Sequence, residues 1–159
     1  MDDSSPDLTC QLCGAALGGT EGCVAQSHAL LVQAQQDARY AGVYRVAFDA
    51  FCMQHPERYG VSAKSYAAHL MGLCRGIEHG DSPNSYWAIP ASLNKPRDIH
   101  KPPLLNNRGS FTIADVPTGA PPEEYAARVR AWAESVWQAY APQHAIAREW
   151  LKQALGERR

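Results

Sequence analysis

The segment from Val43 to His55 constrains the fold most. It carries Val43, Tyr44, Val46, Ala47, Phe48, Ala50, Phe51, Cys52 and Met53, with little else, and Pro56 follows directly. A helix that is apolar on every side has to be buried, so this segment predicts a central helix covered by others. Pro56 disfavours helical backbone at the residue before it and ends the helix there. Asp49 and Gln54 are then polar groups inside an apolar element. Each costs a few kcal/mol if left unpaired, about 1–3 by mutational measures, so each is expected to have a partner.

Helices that could supply the cover are legible on either side. Ser27–Ala41 has helical composition, with Gly42 as a stop. Ser62 is a good N-cap for a helix running to about Glu78, with Gly80 just past its end. Its apolar stripe is Tyr66, Leu70, Leu73, Cys74 and Ile77. Beside it runs a stripe of small residues, Ser65, Gly72 and Gly76, with His69 inside the gap, where another backbone is expected to come close. Pro121-Pro122-Glu123-Glu124 starts a further helix, with prolines in its first turn and acids at the positive end of the dipole. Its stripe, Tyr125, Val129, Trp132, Val136, Trp137 and Tyr140, is the clearest helical period in the chain. These aromatics read as core. Pro142 interrupts the pattern, and a last helix carries His144, Ala147, Leu151 and Leu155 on one side, with Ile146 and Trp150 nearby.

Between these helices, residues 81–122 hold eight of the eleven prolines. The segment also carries Trp87, Ile89, Leu104, Leu105, Phe111, Ile113 and Val116, so it is expected to lie over the helices rather than hang free. Thr112–Asp115 reads either as a short helix with a capping-box-like start or as a short strand. The expected fold is all-α: one domain, 1–159, of about five helices in a bundle. It divides into a Cys-rich knuckle and loop at 8–28, helices at 29–80, a long proline-rich connection at 81–120, and C-terminal helices at 121–156.

The chemistry is concentrated at Cys10-Gln11-Leu12-Cys13-Gly14. Two thiolates separated by two residues, on a turn that Gly14 lets fold back, can grip one tetrahedral Zn²⁺. A redox dithiol would normally open a helix after a strand, and no strand pattern precedes this one. Zinc needs two more ligands. A local solution uses Cys23 and His28. A composite one draws histidines from the helices, namely His55, His69 or His144. Asp49, on the same helix as His55, is read as an acceptor that orients a ligating imidazole, or as a salt-bridge partner of Arg45. Cys52 and Cys74 read as small hydrophobes.

Taken together, these segments resemble a bacterial family of small uncharacterised proteins, the domain-of-unknown-function family 5946. The likeness runs from Cys10 to Trp150 through Asp49–Pro56, the His69-Leu70 pair and Trp132–Trp137, and Gln54-His55-Pro56 is its most specific part. In that pattern Cys23 also fits and His28 has no counterpart. The resemblance therefore implies a site of Cys10, Cys13, His55 and His69, with Cys23 and His144 as substitutes, and His28 stays a substitute through the local solution alone. It brings no activity with it.

Fifteen basic and sixteen acidic residues leave a net charge of −1. The one basic cluster is a C-terminal turn, Arg148, Lys152, Arg158 and Arg159, so general nucleic-acid binding is disfavoured and a protein partner is favoured over it. The start Met1–Pro6 has neither the basic nor the apolar part of a secretory signal, and no stretch is apolar for long enough to span a bilayer. Five cysteines without an export signal point to reduced thiols and a cytoplasmic location. The expected function is that of a structural-zinc interaction or regulatory module. The alternatives are a metal-dependent hydrolase or transferase with Asp49 or Glu149 as base, and a thiol redox protein using Cys10 and Cys13.

Overall fold

The computed structural model describes residues 8–80, 87–95 and 97–156. The described residues contain eight α-helices, five of them long, and no strand beyond one isolated bridge between Thr9 and Ala16. The helices are α1 (Gly19–Gln36), α2 (Ala38–Ala41), α3 (Tyr44–Gln54), α4 (Pro56–Tyr59), α5 (Ala63–Glu78), α6 (Ala88–Leu93), α7 (Pro122–Ala139) and α8 (His144–Gly156). The fold is all-α, as the periodicity predicts.

Helix α3 is the axis of the bundle. It packs against α5 on one side and α7 on the other, while α5 also packs against α8. Ala50, Phe51, Cys52 and Met53 are buried, which is what an element apolar on all sides requires. Gln54, the polar residue that needed partners, has all of its amide satisfied. It donates to the carbonyls of Arg108 (3.0 Å) and Phe111 (2.7 Å) and accepts from the indole N–H of Trp132 (2.9 Å). The aromatic stripe of α7 is core: Tyr125, Val129, Trp132, Val136 and Tyr140 are fully buried, and the Tyr140 hydroxyl donates to the Met53 carbonyl at 2.5 Å.

The expected caps form. The Ser62 hydroxyl accepts from the Ser65 amide at 3.0 Å, and Pro122 sits in the first turn of α7. Pro56 ends α3 and opens α4, a position that needs no N–H. The proline-rich connection lies on the bundle through buried Ile89, Ile113 and Val116, whereas Trp87, Leu104 and Phe111 stay exposed. Ile113–Asp115 is a 3-10 turn with a reciprocal capping box from Thr112 and Asp115, which decides between the two readings of that segment.

The expected knuckle-and-loop at 8–28 is corrected, because helix α1 begins at Gly19 and not near Ser27. Glycines that read as loop residues close the knuckle instead. The amides of Gly18 and Gly19 both bond to the Leu8 carbonyl (2.9 and 3.1 Å), and the chain enters the helix at once. Cys23 and His28 therefore stand on a helix. Arg158, Arg159 and the start Met1–Pro6 lie outside the described residues.

Candidate metal centre

The knuckle is a short reversal. The Cys10 amide bonds to the Ala15 carbonyl and the Gly14 amide to the Cys10 carbonyl, both at 2.8 Å. Gly14 makes the turn at φ +82°, a left-handed conformation that favours glycine. This folds Cys13 back beside Cys10. Helix α1 brings Cys23 alongside, 3.7 Å from Cys13 between sulfurs, and the end of α3 brings His55, whose Nε2 is 3.6 Å from the Cys10 sulfur. All four donor atoms lie within 4.8 Å of one another. Cys10, Cys23 and His55 are buried and Cys13 is half-buried.

These spacings can be compared with those a metal would impose. Zn–S bonds of about 2.3 Å and Zn–N bonds of about 2.0–2.1 Å at tetrahedral angles put sulfurs about 3.8 Å apart, and a sulfur and a ring nitrogen about 3.6 Å apart. The two contacts above agree with that geometry. The imidazole is also in the ligating tautomer. Its Nδ1–H donates to the Phe51 carbonyl at 2.7 Å, so Nε2 presents its lone pair to the sulfurs. The group that orients His55 is thus a backbone carbonyl one turn earlier on α3, while Asp49 accepts from a different histidine, His69. Burial holds the His55 imidazole below its usual pKa range, which keeps it neutral. Burial also works against the Cys10 thiolate, but the Thr20 hydroxyl at 3.4 Å and the amides of the knuckle outweigh it, and the thiol sits below its ordinary value. Cys13 and Cys23 are pushed up, first by burial and then by the neighbouring sulfurs.

The four remaining histidines and acids of interest stand elsewhere. His69, which the resemblance puts in the ligand set, is not in the cluster: its Nδ1 bonds to Asp49 at 2.9 Å in a cleft between α3, α5 and α6. His28 is exposed, because five residues along a helix from Cys23 is about 140° around it, so the two cannot converge. His144 stacks on Trp137 at 3.8 Å and its Nε2–H donates to the Trp137 carbonyl. Glu149 is exposed and accepts from Gln153. Cys23, by contrast, which sequence reasoning kept as a substitute, is one of the four clustered donors.

Sequence reasoning missed Arg108 altogether. Its guanidinium reaches the Leu12 carbonyl in the knuckle (3.4 Å), the Gln54 carbonyl at the end of α3 (3.3 Å) and both carboxylate oxygens of Glu57 on α4. It ties the knuckle to the helix that carries His55. An arginine in a proline-rich segment gives no signal of that.

The model of a family of unknown function (DUF5946) matches residues 8–141. The chain belongs to this family. The match covers the knuckle, Cys23, His55 and the Asp49–His69 pair, so every residue of both sites described here lies in the family's portion of this DUF5946 chain. No curated protein and no solved structure matches the chain. Among the described residues no helix is long and apolar enough to cross a membrane.

Proposed function

We propose that this DUF5946 protein binds one Zn²⁺ through Cys10, Cys13, Cys23 and His55, and that the ion is structural. The observation that carries the reading is the convergence of three sulfurs and one lone-pair nitrogen from three separate segments to within 4.8 Å of one another, with the Cys13–Cys23 and Cys10–His55 contacts at the spacing a tetrahedral ion imposes. Three thiolates and an imidazole are the donors zinc prefers, and four protein ligands leave no position for a water or substrate. The ion would fasten the knuckle and α1 to the end of α3, so its binding energy is folding energy. Five free cysteines suit a reducing compartment, and we place the working protein in the cytoplasm. With its site closed, the protein acts as a metal-stabilised helical module. Its balanced charge favours a protein partner over nucleic acid.

The test is metal content of the purified protein and of single variants. About one zinc per chain is expected, lost in Cys13→Ser, Cys23→Ser and His55→Ala and kept in His28→Ala, His69→Ala and His144→Ala. A metal-free preparation with rapidly alkylated Cys10 and Cys13 would support thiol redox chemistry instead. Loss of zinc in His69→Ala with retention in Cys23→Ser would overturn the ligand set.

A further inference from the structure

A second constellation lies away from the cysteines. His55, just past the end of α3, faces the knuckle, whereas Asp49 in the middle of α3 faces α5. Asp49 is 5% exposed, and its Oδ1 accepts from His69 Nδ1 at 2.9 Å. Its second oxygen, Oδ2, has no hydrogen-bond partner. The carboxylate occupies the space where Gly72 has no side chain: a Cβ there would meet Oδ2 at 2.1 Å. The small-residue gap beside His69 is therefore a seat for this carboxylate. A buried carboxylate oxygen without a donor is costly, and it calls for a partner from outside the fold.

His69 is fixed from two sides. Asp49 holds Nδ1, and Phe48 meets the ring edge-on at 5.6 Å between centroids. Burial pushes the Asp49 carboxyl up, while the bond from His69 and the charges of His69, Arg45 and Arg75 favour the carboxylate. Imidazole is ordinarily the stronger base, so the shared proton stays on Nδ1. Nε2, on a side chain 20% exposed, is then a lone pair. Asp49, His69 and Gly72 all line a cleft of about 430 Å³ between α3, α5 and α6, the size of a small-molecule site. Ser65, one turn before His69, is not a nucleophile for it. Its hydroxyl donates to the Ser62 carbonyl at 3.1 Å and accepts from the Ser62 hydroxyl at 3.0 Å.

The charges of the cleft are already matched. Arg45 and Arg75 both have partners of their own and also bear on Asp49, and Lys64 stands exposed at the rim. A neutral ligand fits this balance better than an ion of either sign. Ile89, Pro90 and Leu93 of α6 make an apolar wall. Two acceptors ask for two protons, and a neutral –NH2 group carries both on one atom. We infer that the cleft between α3, α5 and α6 binds a small neutral molecule bearing an –NH2 group on an apolar body, its donors meeting His69 Nε2 and Asp49 Oδ2. The α6 wall takes the apolar body, and the Asp49–His69 pair fixes orientation. The inference stands independently of the zinc reading, because none of its residues belongs to the metal cluster.

The experiment titrates the protein as isolated with four probes of similar size: benzamide, acetophenone, benzoate and benzamidinium. Acetophenone replaces the –NH2 of benzamide by a methyl, and the other two carry a negative or a positive charge. Binding is read by calorimetry and by the ¹⁵N resonances of the His69 ring. Saturable binding of benzamide below about 1 mM is expected, with movement of the Nε2 signal. Acetophenone and benzoate, which leave both acceptors unpaired, should bind at least about tenfold more weakly, and benzamidinium should also bind more weakly than benzamide. Lys64→Glu, at an exposed position, should leave the benzamide affinity within about twofold. His69→Gln should weaken it at least about tenfold, and Ala68→Phe, at a half-buried position on the cleft wall, should abolish it with zinc content unchanged. No benzamide binding up to about 10 mM, an unmoved Nε2 signal, equal or tighter binding of any other probe, or unchanged affinity in Ala68→Phe would overturn it.

Discussion

Replacing Gly72 by alanine sets two opposing effects against each other. An interior helical glycine costs roughly 0.5–1 kcal/mol relative to alanine, so on propensity alone Gly72→Ala should stabilise α5 by that amount. The structure opposes this. The new methyl would lie 2.1 Å from Asp49 Oδ2 and 2.6 Å from its Cγ, so the buried carboxylate has to shift and strain its bond to His69. Overpacking of this kind costs about 1–3 kcal/mol. Loss of a charge-assisted bond to His69 costs about 1.5–3 kcal/mol, an upper range because both partners are not equally buried. The clash wins, by roughly 1.5–5.5 kcal/mol net, or a fall in Tm of roughly 3–22 °C for a chain of this size. The assay is urea unfolding of wild type, Gly72→Ala, Asp49→Ala and the double variant. In the Asp49→Ala background the carboxylate is gone, so adding the methyl should be neutral or stabilising, giving a coupling of at least about 1.5 kcal/mol. A stabilising Gly72→Ala in the wild-type background, or the same increment in both backgrounds, refutes the reasoning.

Stripping zinc with a strong chelator should lower Tm reversibly. If free zinc stands about 100-fold above its Kd, binding adds about 2.7 kcal/mol, so the fall should be roughly 5–11 °C by calorimetry; an unchanged Tm contradicts a structural ion. Gln54→Leu leaves the Trp132 indole N–H and the Arg108 and Phe111 carbonyls without their partner, and should cost about 2–4 kcal/mol in urea unfolding despite adding apolar surface. Burial works against the Glu57 carboxylate, but Arg108 outweighs it and holds its carboxyl below the usual range. A depressed folded pKa contributes stability above the unfolded value of about 4.3 that is lost as pH falls through the folded one. Glu57→Gln should therefore flatten the acid side of the stability profile below about pH 4, by under about 1 kcal/mol because the carboxylate is partly exposed.

The sequence by itself determined the elements and their faces. Val43–His55 had to be central because it has no polar face to turn to water, and Ser62, Pro56 and Pro122 marked helix boundaries because each acts on the backbone within a turn of itself. Cys10 and Cys13 were legible as a metal-gripping pair for the same reason: their chemistry depends on a spacing of two residues. Cys23, His55 and His69 could not be sorted that way. Which of them meets the knuckle depends on how α1, α3 and α5 are rotated and docked, and local spacing carries no information about that. His69 and His55 look alike in the sequence, one in a small-residue gap and one ending an apolar helix. The Phe51 carbonyl is local to His55, but only the packing of α3 brings His55 to the sulfurs and gives His69 the buried carboxylate of Asp49 seated over Gly72. Arg108 has one local bond, to the Leu105 carbonyl, but its role belongs to the tertiary structure, since Leu12, Gln54 and Glu57 lie 51 to 96 residues away along the chain.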